Sequence, residues 1–80
     1  MNTKLKGDVV FAYVFGGISN KSNKPYLQVS DGIEAKFVNL SKDLAITPDT
    51  FAEYERGDAI NLEIEVEPLA GRVTVLSIIK

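Results

Sequence analysis

Thr47-Pro48-Asp49-Thr50-Phe51-Ala52-Glu53-Tyr54-Glu55-Arg56-Gly57-Asp58-Ala59-Ile60-Asn61-Leu62-Glu63-Ile64-Glu65-Val66-Glu67 sets two opposite signals side by side. Its second half alternates strictly, with Ile60, Leu62, Ile64 and Val66 on one face and Asn61, Glu63, Glu65 and Glu67 on the other. That is the period of a half-buried strand over residues 59–67. Its first half carries the punctuation of a short helix. Thr47 suits the N-cap, Pro48 the first helical position and Asp49 the positive end of the dipole, while Arg56 suits the other end and Gly57 the stop. Phe51 and Tyr54, three apart, fall on one face of such a helix and are expected to plug a core rather than to hold a ligand.

Downstream, Pro68-Leu69-Ala70-Gly71 turns the chain into a last strand over residues 73–79. Upstream, residues 41–46 connect back to a third strand that finishes with Phe37-Val38-Asn39-Leu40. A second strand, residues 26–30, precedes it across a turn at Ser30-Asp31-Gly32. A two-residue Asp31-Gly32 hairpin would mix polar and apolar side chains on both faces. A three-residue loop with Gly32 in the left-handed position shifts the register by one. Leu27 and Val29 then share a face with Ile33, Ala35 and Phe37, while Tyr26, Gln28, Glu34 and Lys36 point outward.

The first strand spans residues 5–15 and is apolar on both faces, so each must be covered. Which face is core stays open. The stripe Phe11, Tyr13, Phe15 has three readings: barrel core, dimer interface or stacking platform for a ligand. Gly16-Gly17 ends or bulges this strand. Three strands, a short helix and two strands is the connectivity of a five-stranded OB-like barrel, mainly β, with the helix between strands 3 and 4 plugging one end. An open five-stranded sheet with the helix elsewhere is the alternative.

The 80 residues form a single domain, residues 1–80, with a small core, so that homodimerisation is a natural way to gain burial. The chain has no cysteine and no histidine, which removes disulfides, thiolate metal sites and the usual general base. The expectation is a protein that is not an enzyme, with no catalytic residues, no metal and no cofactor. Lys4 and Lys6 before the run from Val9 to Phe15 mimic a secretory signal, but Gly7 and Asp8 break the join and the run is rich in strand formers. A cytoplasmic protein without a membrane span is expected.

Charge is unevenly spread. Up to Lys42 six lysines face three carboxylates, and from Asp43 onward Arg56, Arg72 and Lys80 face eight. A basic front and acidic back suit a protein that presents one face to a polyanion, although clustering on solvated faces gives the same count.

Between the first two strands lies Gly16-Gly17-Ile18-Ser19-Asn20-Lys21-Ser22-Asn23-Lys24-Pro25-Tyr26-Leu27-Gln28-Val29, a polar, doubly basic loop running into a strand opened by an aromatic residue. Single-stranded nucleic acid is held by a positive groove together with aromatic faces on which bases stack. Lys21, Lys24, Tyr26, Gln28 and Lys36 are the candidate nucleic-acid-binding residues. The stretch from Gly17 through Lys24-Pro25-Tyr26 resembles the DNA-binding loop of the small single-stranded DNA-binding proteins of filamentous phages. The resemblance covers residues 16–29. It implies an OB-like fold, a homodimer, phosphate contacts by Lys21 and Lys24, stacking on Tyr26 and a role in phage or mobile-element DNA replication. Its loop is about a residue longer than in that family, and the expected helix is more like a general OB-fold. Single-stranded DNA is the expected partner, with RNA not distinguished. The rival expectation is a small protein-interaction module or subunit that uses the acidic Glu63, Glu65, Glu67 strand or the aromatic stripe.

Overall fold

The alternation along residues 59–67 becomes the central stave of a closed barrel. The computed structural model describes residues 3–79 and places strands at β1 (Leu5–Ile18), β2 (Pro25–Ser30), β3 (Ala35–Leu40), β4 (Ala59–Glu67) and β5 (Arg72–Ile79). Around the barrel the order is β1-β2-β3-β5-β4, and β4 returns to β1 to close it. Only β3 and β5 run parallel; the other four pairs are antiparallel. Closure leans on the length of β1. Its first half, Leu5 to Ala12, pairs with β4, and its second half, Ala12 to Ile18, pairs with β2. One long strand shared between two neighbours lets five short segments close without an exposed central edge.

The core consists of Tyr13, Leu27, Val29, Phe51, Ile60, Leu62, Ile64 and Val75, with Phe11, Val38 and Tyr54 packed against it. Every core residue of β4 is one that the alternation directed inward. Along β1 the face left open by the sequence resolves into two answers. Val9, Phe11 and Tyr13 turn inward, and Val10 is exposed. The register with β2 then slips between Tyr13 and Phe15, making Val14 the extra residue of a β-bulge. A bulge advances the alternation by one, so Phe15 points outward although it is spaced like Tyr13.

The expected helix does not form. Residues 48–53 make successive turns, in which the N–H groups of Thr50, Ala52 and Tyr54 donate to the carbonyls of Thr47, Asp49 and Phe51. These are i to i+3 bonds that skip every second residue, so no i to i+4 ladder propagates. Thr47 keeps half of a capping arrangement without a helix to cap: its N–H donates to Thr50 Oγ1 at 2.8 Å, and the two hydroxyl oxygens lie 3.3 Å apart. The packing role of the segment survives this correction. Phe51 is buried, and the Phe51 and Tyr54 rings lie 5.9 and 5.5 Å from the Tyr13 ring. Burial raises the Tyr13 hydroxyl above its ordinary range, keeping it protonated as a donor toward the Gly16 carbonyl.

The β2–β3 register is also corrected. Leu27 lies opposite Val38, Gln28 opposite Phe37, Val29 opposite Lys36 and Ser30 opposite Ala35. Residues 31–34 form the loop, one residue longer than the predicted turn. Asp31 explains the length, since its Oδ1 accepts the N–H groups of Ile33 at 2.9 Å and Glu34 at 3.1 Å. Gly32 supplies the positive φ of 97° that the sequence anticipated. Opposed residues share a face, so Phe37 joins Gln28 outside and Lys36 joins Val29 on the inward side. These bonds hold the Asp31 carboxyl below the ordinary aspartate value of 3.8. A lowered native pKa contributes stability above the unfolded value, and the contribution disappears as pH falls through the native value. Melting temperature should therefore drop on acidification below about pH 4, and Asp31→Asn should flatten that part of the profile.

Candidate nucleic-acid interface

The outer face of β1, β2 and β3 carries three aromatic rings. Phe15, Gln28 and Phe37 form a cross-strand row, since Phe15 opposes Gln28 and Gln28 opposes Phe37. Tyr26 stands one outward position along β2, with its ring 5.6 Å from Phe15 at 18° and 6.4 Å from Phe37 at 71°. Tyr26 is half-buried between the two, whereas Phe15 is 57% and Phe37 66% exposed. Large rings left open to water on the outside of a barrel are the informative kind of exposed apolar surface.

Local backbone explains why the rings lie as they do. Gly17 faces Tyr26 across the β1–β2 ladder, and a Cβ there would sit 3.2 Å from the Tyr26 hydroxyl oxygen. The absent side chain lets the Tyr26 ring lie down over the backbone. Gly16 serves the inner face in the same way, because a Cβ on it would come within 2.8 Å of the Phe51 ring. The pair therefore does not end β1, which continues to Ile18. It thins the strand on both sides, for the core ring and for the surface ring.

Beyond Ile18 the basic loop is a closed hairpin tip. The Ser19 N–H donates to the Lys24 carbonyl at 2.9 Å, and the Asn23 N–H donates to the Ser19 carbonyl at 2.8 Å. Asn23 adopts the left-handed conformation, with φ 55°, that asparagine tolerates better than most residues. Lys21 is at the tip, and its N–H donates to Ser19 Oγ. Lys24 is at the base, two residues before Tyr26 on the alternation that carries Tyr26 and Gln28 outward. Both lysines are exposed, and no carboxylate among the described residues pairs with either.

Lys36 belongs elsewhere. It lines a cavity of about 160 Å³ at the barrel mouth, with Phe11, Val29, Val38 and Val73, and pairs with Glu34 at 3.0 Å. The expected alignment of Lys36 beside Tyr26 on the outer face is thus replaced by Phe37. Sequence reasoning assigned Phe37 to the core and left Phe15 undecided. The alternation of Tyr26 and Gln28 is legible locally, whereas Phe15 and Phe37 join them only through the strand registers.

The acidic strand is on a different part of the barrel, and its charge is met in part: one ion pair forms, while Glu63 stands opposite Asp8. Glu65 pairs with Lys4 at 3.5 Å and opposes Lys6, Glu67 opposes Arg72, and Glu63 accepts from the Ser77 hydroxyl at 3.4 Å. One front-half lysine, Lys4, is therefore paired with the acidic strand, and Lys6 stands opposite it in the ladder. Among the described residues there is no cluster of three or more acidic, histidine or cysteine side chains able to hold a metal ion, and no helix long and apolar enough to cross a membrane. No family model, curated protein or solved structure matches the chain.

Proposed function

We propose that this chain is an OB-type, sequence-tolerant single-stranded DNA-binding protein without enzymatic activity, acting as a homodimer in phage or mobile-element DNA replication. The observation that carries the reading is the outward row of Phe15, Gln28 and Phe37 with Tyr26 packed between the rings. Each base stacked on an aromatic side chain contributes about 1–3 kcal/mol, and the contact tolerates any base because every base has a π-face. Lys21 and Lys24 supply the phosphate contacts at the end of the platform where β1 hands over to β2. Gln28 offers an amide NH2 with two donors and a carbonyl acceptor in the middle of the row. Lys36, on the mouth side, contributes to the field rather than to the platform.

The barrel order β1-β2-β3-β5-β4 supports the OB-type assignment, and the aromatic row spans the second and third strands, across which such barrels bind their ligands. In place of a helix, the turns at residues 48–53 carry Phe51 into the core. The rival reading as a protein-interaction module through the acidic strand has one observation against it, the Lys4–Glu65 ion pair that offsets part of the strand's charge.

A fluorescence-anisotropy titration of labelled oligo-dT tests the proposal. Binding should tighten at low salt, with log affinity linear in log salt and a slope of at least about −1.4, from two phosphates at about −0.7 each. Absence of any salt-sensitive binding at low ionic strength would overturn it. Parallel titrations with oligo-rU separate DNA from RNA preference.

A further inference from the structure

Phe15 and Gln28 belong to two surfaces. Besides the platform, they line a groove with Val14, Ala35, Tyr54 and Arg56. The groove is therefore a continuation of the platform, and it ends at a cation that comes from the acidic half of the sequence. The bulge at Val14 that turns Phe15 outward also opens this groove, because Val14 is one of its walls.

Arg56 is presented by a fixed turn. The Asp58 N–H donates to the Glu55 carbonyl at 2.9 Å, closing residues 55–58, and Gly57 has a φ of 99°. Positive φ at the third position of a β-turn is the place for glycine. The turn is tied to β1 on both sides of its glycine: the Gly57 N–H donates to the Tyr13 carbonyl at 2.7 Å, and the Tyr13 N–H donates to the Asp58 carbonyl at 2.8 Å. Asp58, the carboxylate best placed to neutralise Arg56, accepts the Glu55 N–H through Oδ2 at 2.9 Å instead. Arg56 is exposed and makes no ion pair among the described residues. With no helix present, Arg56 has no helix dipole to complement.

A guanidinium held in one groove with the exposed Phe15 ring and the Gln28 amide matches the chemistry of a nucleotide, with the base over the ring and the phosphate on the arginine fork. Resting on the single-strand reading above, we infer that the groove of Tyr54 and Arg56 extends the nucleic-acid track past Phe15 by a further nucleotide, with Arg56 taking its phosphate. The strand then runs from the Lys21/Lys24 hairpin tip, across Tyr26 and Phe15, to Arg56. Basic contacts stand at both ends of an aromatic middle.

The test is a salt titration of 12-nucleotide oligo-dT binding by wild type, Arg56→Ala and Lys6→Ala. Lys6→Ala changes net charge by the same amount on the acidic-strand side. Arg56→Ala should weaken binding about five- to tenfold at low salt and make the log–log slope shallower by about 0.7, one phosphate contact. Lys6→Ala should leave the slope unchanged, and both variants should melt like wild type. An unchanged slope for Arg56→Ala, or equal losses for the two variants, would overturn the groove while leaving the platform standing. If wild type itself shows no salt-sensitive binding, the platform fails and the groove with it.

Discussion

Tyr26→Ala is expected to lower oligo-dT affinity by about 5- to 150-fold, the equivalent of one lost base stack of about 1–3 kcal/mol. The upper end is the better expectation, because Tyr26 supports both neighbouring rings, at 5.6 Å from Phe15 and 6.4 Å from Phe37. Removing it frees two exposed side chains to rotate away from the surface a base would meet. Tyr26→Phe keeps the ring and should retain most of the affinity. Folding should lose a comparable amount, about 1–3 kcal/mol, because Tyr26 makes two aromatic pairs at about 0.5–1.5 kcal/mol each, and the barrel should still fold because Tyr26 lies outside the core cluster. Anisotropy titrations paired with thermal melts separate the two effects. Equal binding by Tyr26→Ala and wild type would remove stacking on Tyr26 from the mechanism.

The largest loss of stability is expected at the barrel plug. Phe51→Ala should cost about 3–5 kcal/mol, the usual range for deleting a buried aromatic ring. Stability for a domain of this size is on the order of 4–12 kcal/mol, so the variant would be near or below its folding threshold. Gly16→Ala attacks the same contact from the opposite side. Its Cβ would meet the Phe51 ring at 2.8 Å, and overpacking of a core costs about 1–3 kcal/mol. The two should not be additive. With Phe51 cut back to leucine, the alanine at position 16 gains room, and its own penalty should shrink. Urea melts of the single and double variants measure this coupling. Additive losses would show that Gly16 does not need to be glycine on account of Phe51.

The sequence was most legible where one face of a strand was polar and the other apolar. Residues 59–67 read correctly down to the side chain for that reason, with Ile60, Leu62 and Ile64 buried. The β2–β3 hairpin departs from the pattern because each face is mixed, with Phe37 beside Gln28 outside and Lys36 beside Val29 inside. Hydrophobic pattern alone favours the register that brings Phe37 inside with Leu27 and Val29, on the premise that a large apolar residue belongs in the core. That rule runs only one way: core positions are apolar, but apolar positions need not be core. The Asp31 carboxylate, which caps two backbone N–H groups, decided the loop length instead. In β1 both faces are apolar, so nothing in the pattern could reveal the bulge at Val14 that sends Tyr13 in and Phe15 out. The helix signals around Thr47 were real local preferences. Over so few residues, with Asp49 and Thr50 poor in helix propensity, they produced turns instead, while the demand to bury Phe51 was met either way. For the interface, Lys21, Lys24, Tyr26 and Gln28 could be named from the loop and alternation. Phe15 and Phe37 required the register, and Arg56 required the tie between residues 57–58 and Tyr13.

The central claim is that bases, and not phosphates alone, are held on the Phe15–Tyr26–Phe37 platform. The most direct measurement compares the binding of a 12-nucleotide oligo-dT with that of an abasic deoxyribose-phosphate strand of the same length, at equal ionic strength. The two carry the same phosphates, so capture by Lys21 and Lys24 alone would bind them equally. The platform predicts an abasic strand weaker by at least about tenfold, together with quenching of tyrosine fluorescence by oligo-dT alone. Equal affinities for the two strands would contradict it.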